Sequence, residues 1–370
     1  MKIGILTFHR AHNYGAMLQA YALQKTLERY GHQVEFIGYR QECIEKAYNL
    51  FRPNLYKNKT IISCIKIFIA NILTFRRRYL RHRAFNHFRI KYLQESIPYS
   101  KQQLISSTLN YDAVIFGSDQ IWTTRFLGCF DDILWGDIRL TRGEKIAYAP
   151  SMELRELTIE QQKYIASHLK NFNAISVREI TLQHLLGSLT KEKVPVVLDP
   201  TLLCPIKEYD AIINNTRGLN KRGKYILIYQ IAQHDIVYEI AEYVSKLLKL
   251  PIIEISSSVR LHSKSNVYET LGPAHFVSMV QHATFVITSS FHGTAFAINS
   301  NIPFYSVLIQ GIDSRLRSLL TLLNLNDRGI TGLKDIDLSQ IISIDYHKVN
   351  KALQSERKKS LSFLIDSLSK

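Results

Sequence analysis

The chain has 370 residues, of which 46% are apolar and 21% are charged, and its formal net charge is +16. This composition excludes a disordered chain, and the length predicts two domains, since a domain usually holds about 150 residues. Four scattered cysteines indicate neither a disulfide framework nor a zinc site, which favours a reducing compartment. The apolar stretch at the N-terminus is short for a signal peptide and predicts a first buried strand, so we expect a cytoplasmic protein.

The first forty residues predict a strand, a loop, a helix and a second strand, which together form a βαβ unit closed at Gly31. The loop lacks the glycines of a dinucleotide fingerprint and of a nucleoside-triphosphate P-loop. Because the free N–H groups of the helix follow it, the loop is a candidate anion or sugar site, with Asn13 as a plain helix cap in the alternative. The candidate acceptor-binding residues here are His12, Asn13, Tyr14 and Gly15.

A basic segment interrupts the first domain, because no acidic residue occurs between Glu45 and Glu95. Apolar residues from Ile61 to Tyr79 recur at helical spacing, which predicts an amphipathic helix and a peripheral contact with an anionic membrane through residues 57–91. A solvated helical hairpin is the alternative, and nucleic acid is disfavoured because no binding motif is present. The cations of the segment include Lys57, Lys59, Arg76, Arg77, Arg78, Arg81, Arg83, Arg89 and Lys91.

Continuous apolar runs after this insertion predict a parallel sheet that is covered on both faces. The run YDAVIFG is followed by Ser118 and Asp119, with Trp122 beyond, and a carboxylate beside an indole suits a sugar ring. A helix-capping role is the alternative explanation for Asp119, although it would not account for Trp122. Arg178 follows the run AISV, where it could hold a carboxylate or phosphate in two hydrogen bonds or simply pair with Glu179.

A second lobe begins after a polar stretch near residues 207–224 and repeats the same pattern. In ITSSFHGTAFAI a strand is expected to turn into a helix from Gly293, which places His292 where it could bind an anion and exchange a proton, or simply occupy a tight turn. The predicted fold is α/β, with two Rossmann-like doubly wound lobes facing across a cleft. The expected divisions are a first lobe at 1–205 with a basic insertion at about 46–95, a second lobe at 206–345, and a C-terminal helix at 346–370 that packs back.

Five stretches resemble the polysaccharide pyruvyltransferase family, and they cover roughly residues 1–325: FHRAHNYGAMLQAYAL, VIFGSDQIW, ISVRE, VVLDPTLL and ITSSFHGTAFAI. The resemblance implies a glycosyltransferase-B-like fold and transfer of a pyruvyl group from phosphoenolpyruvate to a sugar diol, as a cyclic ketal, without a metal or other cofactor. The acceptor would be a polysaccharide or a lipid-linked oligosaccharide of surface-glycan biosynthesis. Donor-binding roles are implied for Arg178 and His292. Some members carry an arginine where this chain has Ser290, so either Arg315 supplies that cation or the donor differs.

Phosphoenolpyruvate needs paired cations, a general acid and a general base. We expect His292 to be the proton donor or phosphate partner and Asp119 to accept a proton from the sugar hydroxyl. The expected donor-binding residues are Arg178, Ser289, Ser290, His292, Gly293 and Arg315, and Ser118 and Trp122 join the acceptor-binding residues.

Two other functions remain open at this point. A sugar-nucleotide-dependent glycosyltransferase would share the fold, but the region between Glu269 and Asp313 lacks the acidic residue that commonly holds a donor ribose. A non-enzymatic basic scaffold at the membrane surface is the second alternative.

Overall fold

The computed structural model describes residues 1–50, 53–124, 128–153, 157–190, 193–214 and 224–369. Within these ranges the chain forms two α/β lobes, each built on a six-stranded sheet. The elements of the first part of the chain are β1 Lys2–Leu6, α1 Tyr14–Arg29, β2 Gln33–Tyr39, α2 Glu42–Tyr48, α3 Ile61–Tyr92, β3 Glu95–Tyr99, α4 Lys101–Ser106, β4 Thr108–Leu109, β5 Ala113–Phe116, β6 Arg139–Leu140, β7 Glu144–Ala147, α5 Ile159–His168, β8 Ala174–Ile175, α6 Ile180–Thr190, α7 Pro200–Leu203 and α8 Asp210–Ile213. Those that follow are β9 Ile226–Gln230, α9 Asp235–Leu248, β10 Ile252–Ser256, β11 Val267–Tyr268, α10 Pro273–Gln281, β12 Phe285–Thr288, α11 Phe291–Asn299, β13 Phe304–Val307, α12 Ser314–Leu322, β14 Gly329–Ile330 and α13 Tyr346–Leu368.

Both six-stranded sheets have the doubly wound strand order. The first runs β3-β2-β1-β5-β7-β8 and the second β11-β10-β9-β12-β13-β14, and every strand pair in them is parallel. In β5 and β12 every residue is buried, because helices cover both faces of a parallel sheet. The predicted fold class, two Rossmann-like lobes, is confirmed.

The two lobes meet near the carboxyl ends of β1 and β10, because Arg81 donates to the carbonyls of His12, after β1, and of Ser257, after β10. Helix α1 packs against α7 of the first lobe and against α10 and α11 of the second. The predicted boundary at residues 205–206 falls just after α7, whereas most of the polar stretch at 214–224 lies outside the described residues.

Helix α13 lies against both lobes. The backbone N–H of Leu198 donates to the Ser360 hydroxyl at 2.9 Å, and Nε of Arg357 donates to the Leu202 carbonyl at 2.7 Å. Arg357 also donates to Oδ1 of Asn299, at 2.8 Å. The last helix therefore ties the α7 region of the first lobe to α11 of the second.

The basic segment folds as one helix, α3, of 32 residues. Its buried side joins the lobes, because Arg81 donates to the carbonyls of His12 in the first lobe and of Ser256, Ser257 and Glu269 in the second. Other cations of the segment are also engaged internally, namely Arg77 with Glu269, Arg78 with Asn71 and the carbonyls of Asn49 and Leu50, and Arg89 with Glu95. Arg77, Arg78, Arg81 and Arg89 therefore bond within the protein, and the membrane contact expected through residues 57–91 stays a prediction that rests on the other cations. No helix in the described ranges has both the length and the apolar character needed to cross a membrane.

Candidate functional site

The turn between β12 and α11 forms one wall of the site. Helix α11 begins at Phe291, two residues before the predicted start, and the Ser290 hydroxyl caps it by accepting from the N–H of Gly293 at 3.4 Å. A Cβ at Gly293 would lie 2.2 Å from Oγ1 of Thr288. The glycine is therefore required by the close approach of Thr288 rather than by the start of the helix.

His292 is buried at the contact between the lobes, with 6% of its surface exposed. Its Nε2 lies 3.6 Å from Oδ2 of Asp199, which is too long for a hydrogen bond, and has no hydrogen-bond partner among the described residues. The other ring nitrogen faces α1, because a Cβ at Gly15 would lie 2.0 Å from Nδ1. Gly15, expected among the acceptor-binding residues, instead makes room for the imidazole.

Asp199 is the shared partner of several site residues, and the sequence analysis did not select it. Its Oδ2 accepts from Nη1 of Arg178 at 2.7 Å and from the hydroxyl of Ser118 at 3.1 Å, while Thr201 donates to Oδ1. Burial alone would raise the pKa of Asp199, but His292 and Arg178 lower it well below its ordinary value. The available signal was an aspartate before a proline at the end of an apolar run, which is also the pattern of a plain helix cap.

Arg178 presents donors that have no acceptor. Only 5% of the residue is exposed, yet Nε and Nη2 lack hydrogen-bond partners in the described part of the chain, and Nε lies 3.8 Å from Oε2 of Glu179. Burial opposes the charge, but the carboxylates of Asp199 and Glu179 more than offset it and raise the pKa of Arg178. The guanidinium carbon lies 4.4 Å from the centre of the Phe291 ring. Because unpaired buried donors are costly, the site favours a ligand with acceptor oxygens.

A second arginine lies near the first. Arg315, in the first turn of α12, has no hydrogen-bond or ion-pair partner among the residues the structure describes, and burial together with the nearby Arg178 lowers its pKa. Asp119 follows β5 in a left-handed conformation, with φ of 73°, and its charge acts to raise the pKa of both arginines. The structure thus places three predicted residues, Arg178, Ser118 and His292, at the unpredicted Asp199. Two more, Arg315 and Asp119, lie close enough to Arg178 for their charges to interact with it.

A cavity of about 240 Å³ adjoins this cluster and is lined by Arg178, Asp199 and Phe291 together with apolar side chains of both lobes. The neighbouring Glu179 accepts from the Ser151 hydroxyl and from the N–H of Met152, and burial raises its pKa. Across the described ranges, no three His, Cys, Asp or Glu side chains are placed to share a metal ion.

Two predicted acceptor-binding residues belong to the core. Trp122 is fully buried, stacks on Trp135 at 4.3 Å and donates from Nε1 to the Leu134 carbonyl. Tyr14 is fully buried as well, and its hydroxyl donates to the Leu271 carbonyl at 2.9 Å across the lobe contact. Neither side chain has a surface that could contact a sugar, so both assignments are corrected.

Asn13, Ser289 and His12 are three further residues that the sequence predicts for the site. Asn13 is the N-cap of α1 and accepts from the N–H of Ala16 at 3.1 Å, and Ser289 is half-buried at the end of β12. His12 lines a second cavity, of about 400 Å³, which lies between α3 and the segment after β10. Burial, followed by the neighbouring His82 and Arg81, lowers the pKa of His12 to about 3. The acceptor role of His12 stays a prediction.

The chain is similar to one protein family and to several solved structures. A family model described as polysaccharide pyruvyl transferase matches residues 13–310. No curated protein matches the sequence. Similar solved structures include the UDP-GlcNAc 2-epimerase from Neisseria meningitidis bound to UDP-GlcNAc, at 12% identity and a TM-score of 0.48, with 99% of this chain and 100% of that chain covered. A second is the E. coli heptosyltransferase WaaC with ADP, at 11% identity and a TM-score of 0.40, with 97% of this chain and 99% of that chain covered. A third is the glycosyltransferase VinC in complex with DTDP, at 12% identity and a TM-score of 0.39, with 100% of both chains covered.

Proposed function

Because the chain belongs to the polysaccharide pyruvyl transferase family, we propose that it transfers the pyruvyl group of phosphoenolpyruvate to a sugar diol and forms a cyclic ketal. The proposal rests above all on Arg178, a buried guanidinium whose Nε and Nη2 have no acceptor among the described residues and which lies near a second arginine, Arg315.

The two arginines suit a donor that carries both a carboxylate and a phosphate. Nε and Nη2 of Arg178 form the fork that binds a carboxylate or phosphate in two parallel hydrogen bonds. Arg315 supplies the second cation, in place of the arginine that some family members carry at the position of Ser290. Burial and the charge of Arg178 together lower the pKa of Arg315, and an anion between the two guanidinium groups would offset the repulsion.

The proposed reaction has two stages. A sugar hydroxyl oxygen adds to C2 of phosphoenolpyruvate, its proton passes to Asp119, and His292 gives a proton to the methylene carbon. The C2–O bond to phosphate then breaks, the second hydroxyl oxygen bonds to C2, and its proton leaves with the phosphate. The products are the ketal and inorganic phosphate, so no oxidant or reductant is required.

The family supports a polysaccharide acceptor, and we propose the narrower class of a lipid-linked oligosaccharide that the protein meets at the cytoplasmic face of an anionic membrane. The support is the exposed surface of α3, which combines apolar side chains from Ile61 to Phe75 with the cations Arg76 and Arg83.

The test is incubation of the full chain with phosphoenolpyruvate and a panel of lipid-linked and soluble sugars, with phosphate release and the mass gain of a ketal as readouts. We expect both signals to be lost in Arg178→Gln and kept in Arg317→Gln, since the Arg317 side chain is 57% exposed. Full activity of Arg178→Gln would refute the assigned site. Thermal stabilisation by a sugar nucleotide but not by phosphoenolpyruvate would instead favour a glycosyltransferase.

A further inference from the structure

The first half of α3 presents an unpartnered apolar face to solvent. Its exposed side chains include Ile61, Ile65, Phe68, Ile69, Ile72 and Phe75, with Ile61 80% exposed. Their spacing of three and four residues places them on one side of the helix, opposite the buried Thr74, Arg81, Phe85 and Phe88. One side of α3 therefore joins the lobes while the other leaves bulky apolar groups uncovered.

Exposed cations accompany this apolar face. Lys57, Lys59, Lys66, Arg76 and Arg83 are exposed and have no ion-pair partner among the described residues, unlike the arginines that α3 directs inward. No acidic residue occurs anywhere between Glu45 and Glu95. The complementary partner of such a surface is apolar and negatively charged.

We infer that α3 lies flat in the headgroup layer of an anionic lipid bilayer, with the apolar face from Ile61 to Phe75 inserted and Arg76 and Arg83 against the headgroups. An interfacial helix typically inserts its apolar side about 5–10 Å and gains about 1 kcal/mol from each basic residue near the surface. A second copy of the chain fits less well, because a two-fold contact would bring the same cations together with no carboxylate to pair them.

This inference goes beyond the proposed reaction, because lipid binding is measured without any substrate. The experiment is co-sedimentation of the full chain with vesicles of phosphatidylcholine alone and of phosphatidylcholine mixed with phosphatidylglycerol. We expect binding to the mixed vesicles that weakens as salt increases, and much weaker binding to the neutral vesicles. The variant His292→Ala should bind equally well, which separates docking from catalysis.

Two variants test the two parts of the surface. Arg76→Gln combined with Arg83→Gln should lower the partition coefficient about 25-fold, since each lost charge accounts for about fivefold. Phe68→Glu should lower it more than tenfold, because it removes an inserted ring and adds a negative charge. Ile159→Glu is the matched control, since Ile159 is 72% exposed on α5, away from α3, and its binding should not change.

Several results would overturn the inference. The first is that the protein binds neither kind of vesicle. The second is that Phe68→Glu binds as well as the wild type, and the third is that Ile159→Glu loses as much binding as Phe68→Glu. A lipid-independent dimer that Phe68→Glu dissociates, seen by analytical ultracentrifugation, would assign the face to a second copy instead.

Discussion

The contact between Gly15 and His292 can be tested with one methyl group. In Gly15→Ala the new Cβ would lie 2.0 Å from Nδ1 of His292, about 1.4 Å closer than the 3.4 Å at which ordinary van der Waals contact begins. Because α1 and α11 both pack in the core, the imidazole must move by about an ångström. A displacement of that size typically lowers turnover about a hundredfold, and overpacking costs about 1–3 kcal/mol of stability.

Phosphate release from phosphoenolpyruvate and chemical denaturation measure the two effects. Gly332→Ala is the control, since a Cβ there meets nothing within 4 Å. The double variant Gly15→Ala/His292→Ala should recover the lost stability, because removing the ring makes room for the methyl group, and should be no less active than His292→Ala alone. The reasoning is refuted if Gly15→Ala keeps its activity within threefold, or if the second substitution restores no stability.

Three further predictions concern charged groups. Asp199→Asn should lower turnover at least tenfold and cost about 3–5 kcal/mol of stability, because it leaves the buried Arg178 without its carboxylate; an unchanged denaturation midpoint would contradict this. Arg315→Gln should weaken phosphoenolpyruvate binding about tenfold or more by calorimetry, whereas Arg317→Gln should not, and equal affinities would remove Arg315 from the site. The pKa of His12 is about 3 in the folded protein, against an ordinary value of 6.5. As the pH falls from 6.5 towards 3, the unfolded chain therefore binds a proton that the folded protein does not, and the free energy of unfolding decreases. At pH 5 the loss should be about 2 kcal/mol relative to pH 7 and should disappear in His12→Gln; equal pH slopes for both proteins would contradict it.

The fold could be predicted because its signals are local. The runs AVIF and FVIT are apolar at every position, and each forms a fully buried central strand. Asn13 precedes the apolar stripe of α1 and is its N-cap. Each of these assignments depends only on residues that lie close together in the sequence.

The partners of the site residues could not be predicted in the same way. Asp199 binds Arg178, 21 residues away, and Ser118, 81 residues away, and these pairs form only once strand order has been set. Trp122 follows a strand end as a sugar-binding indole would, but its ring faces Trp135. Local sequence fixes the position of a side chain along the strand, whereas the next layer of the fold decides what that side chain contacts.

The two candidate donor cations come from different lobes, which bears on how a ligand would act. Arg178 follows a strand of the first lobe, while Arg315 belongs to α12 of the second, and their like charges contribute to lowering the pKa of Arg315. The like charges of the two arginines oppose close contact between the lobes, while Arg81 and α13 hold the lobes together. An anion bound between the guanidinium groups would convert that repulsion into two attractive contacts, one to each lobe. Under the proposed function, donor binding is therefore expected to stabilise the contact that places His292 beside Asp199.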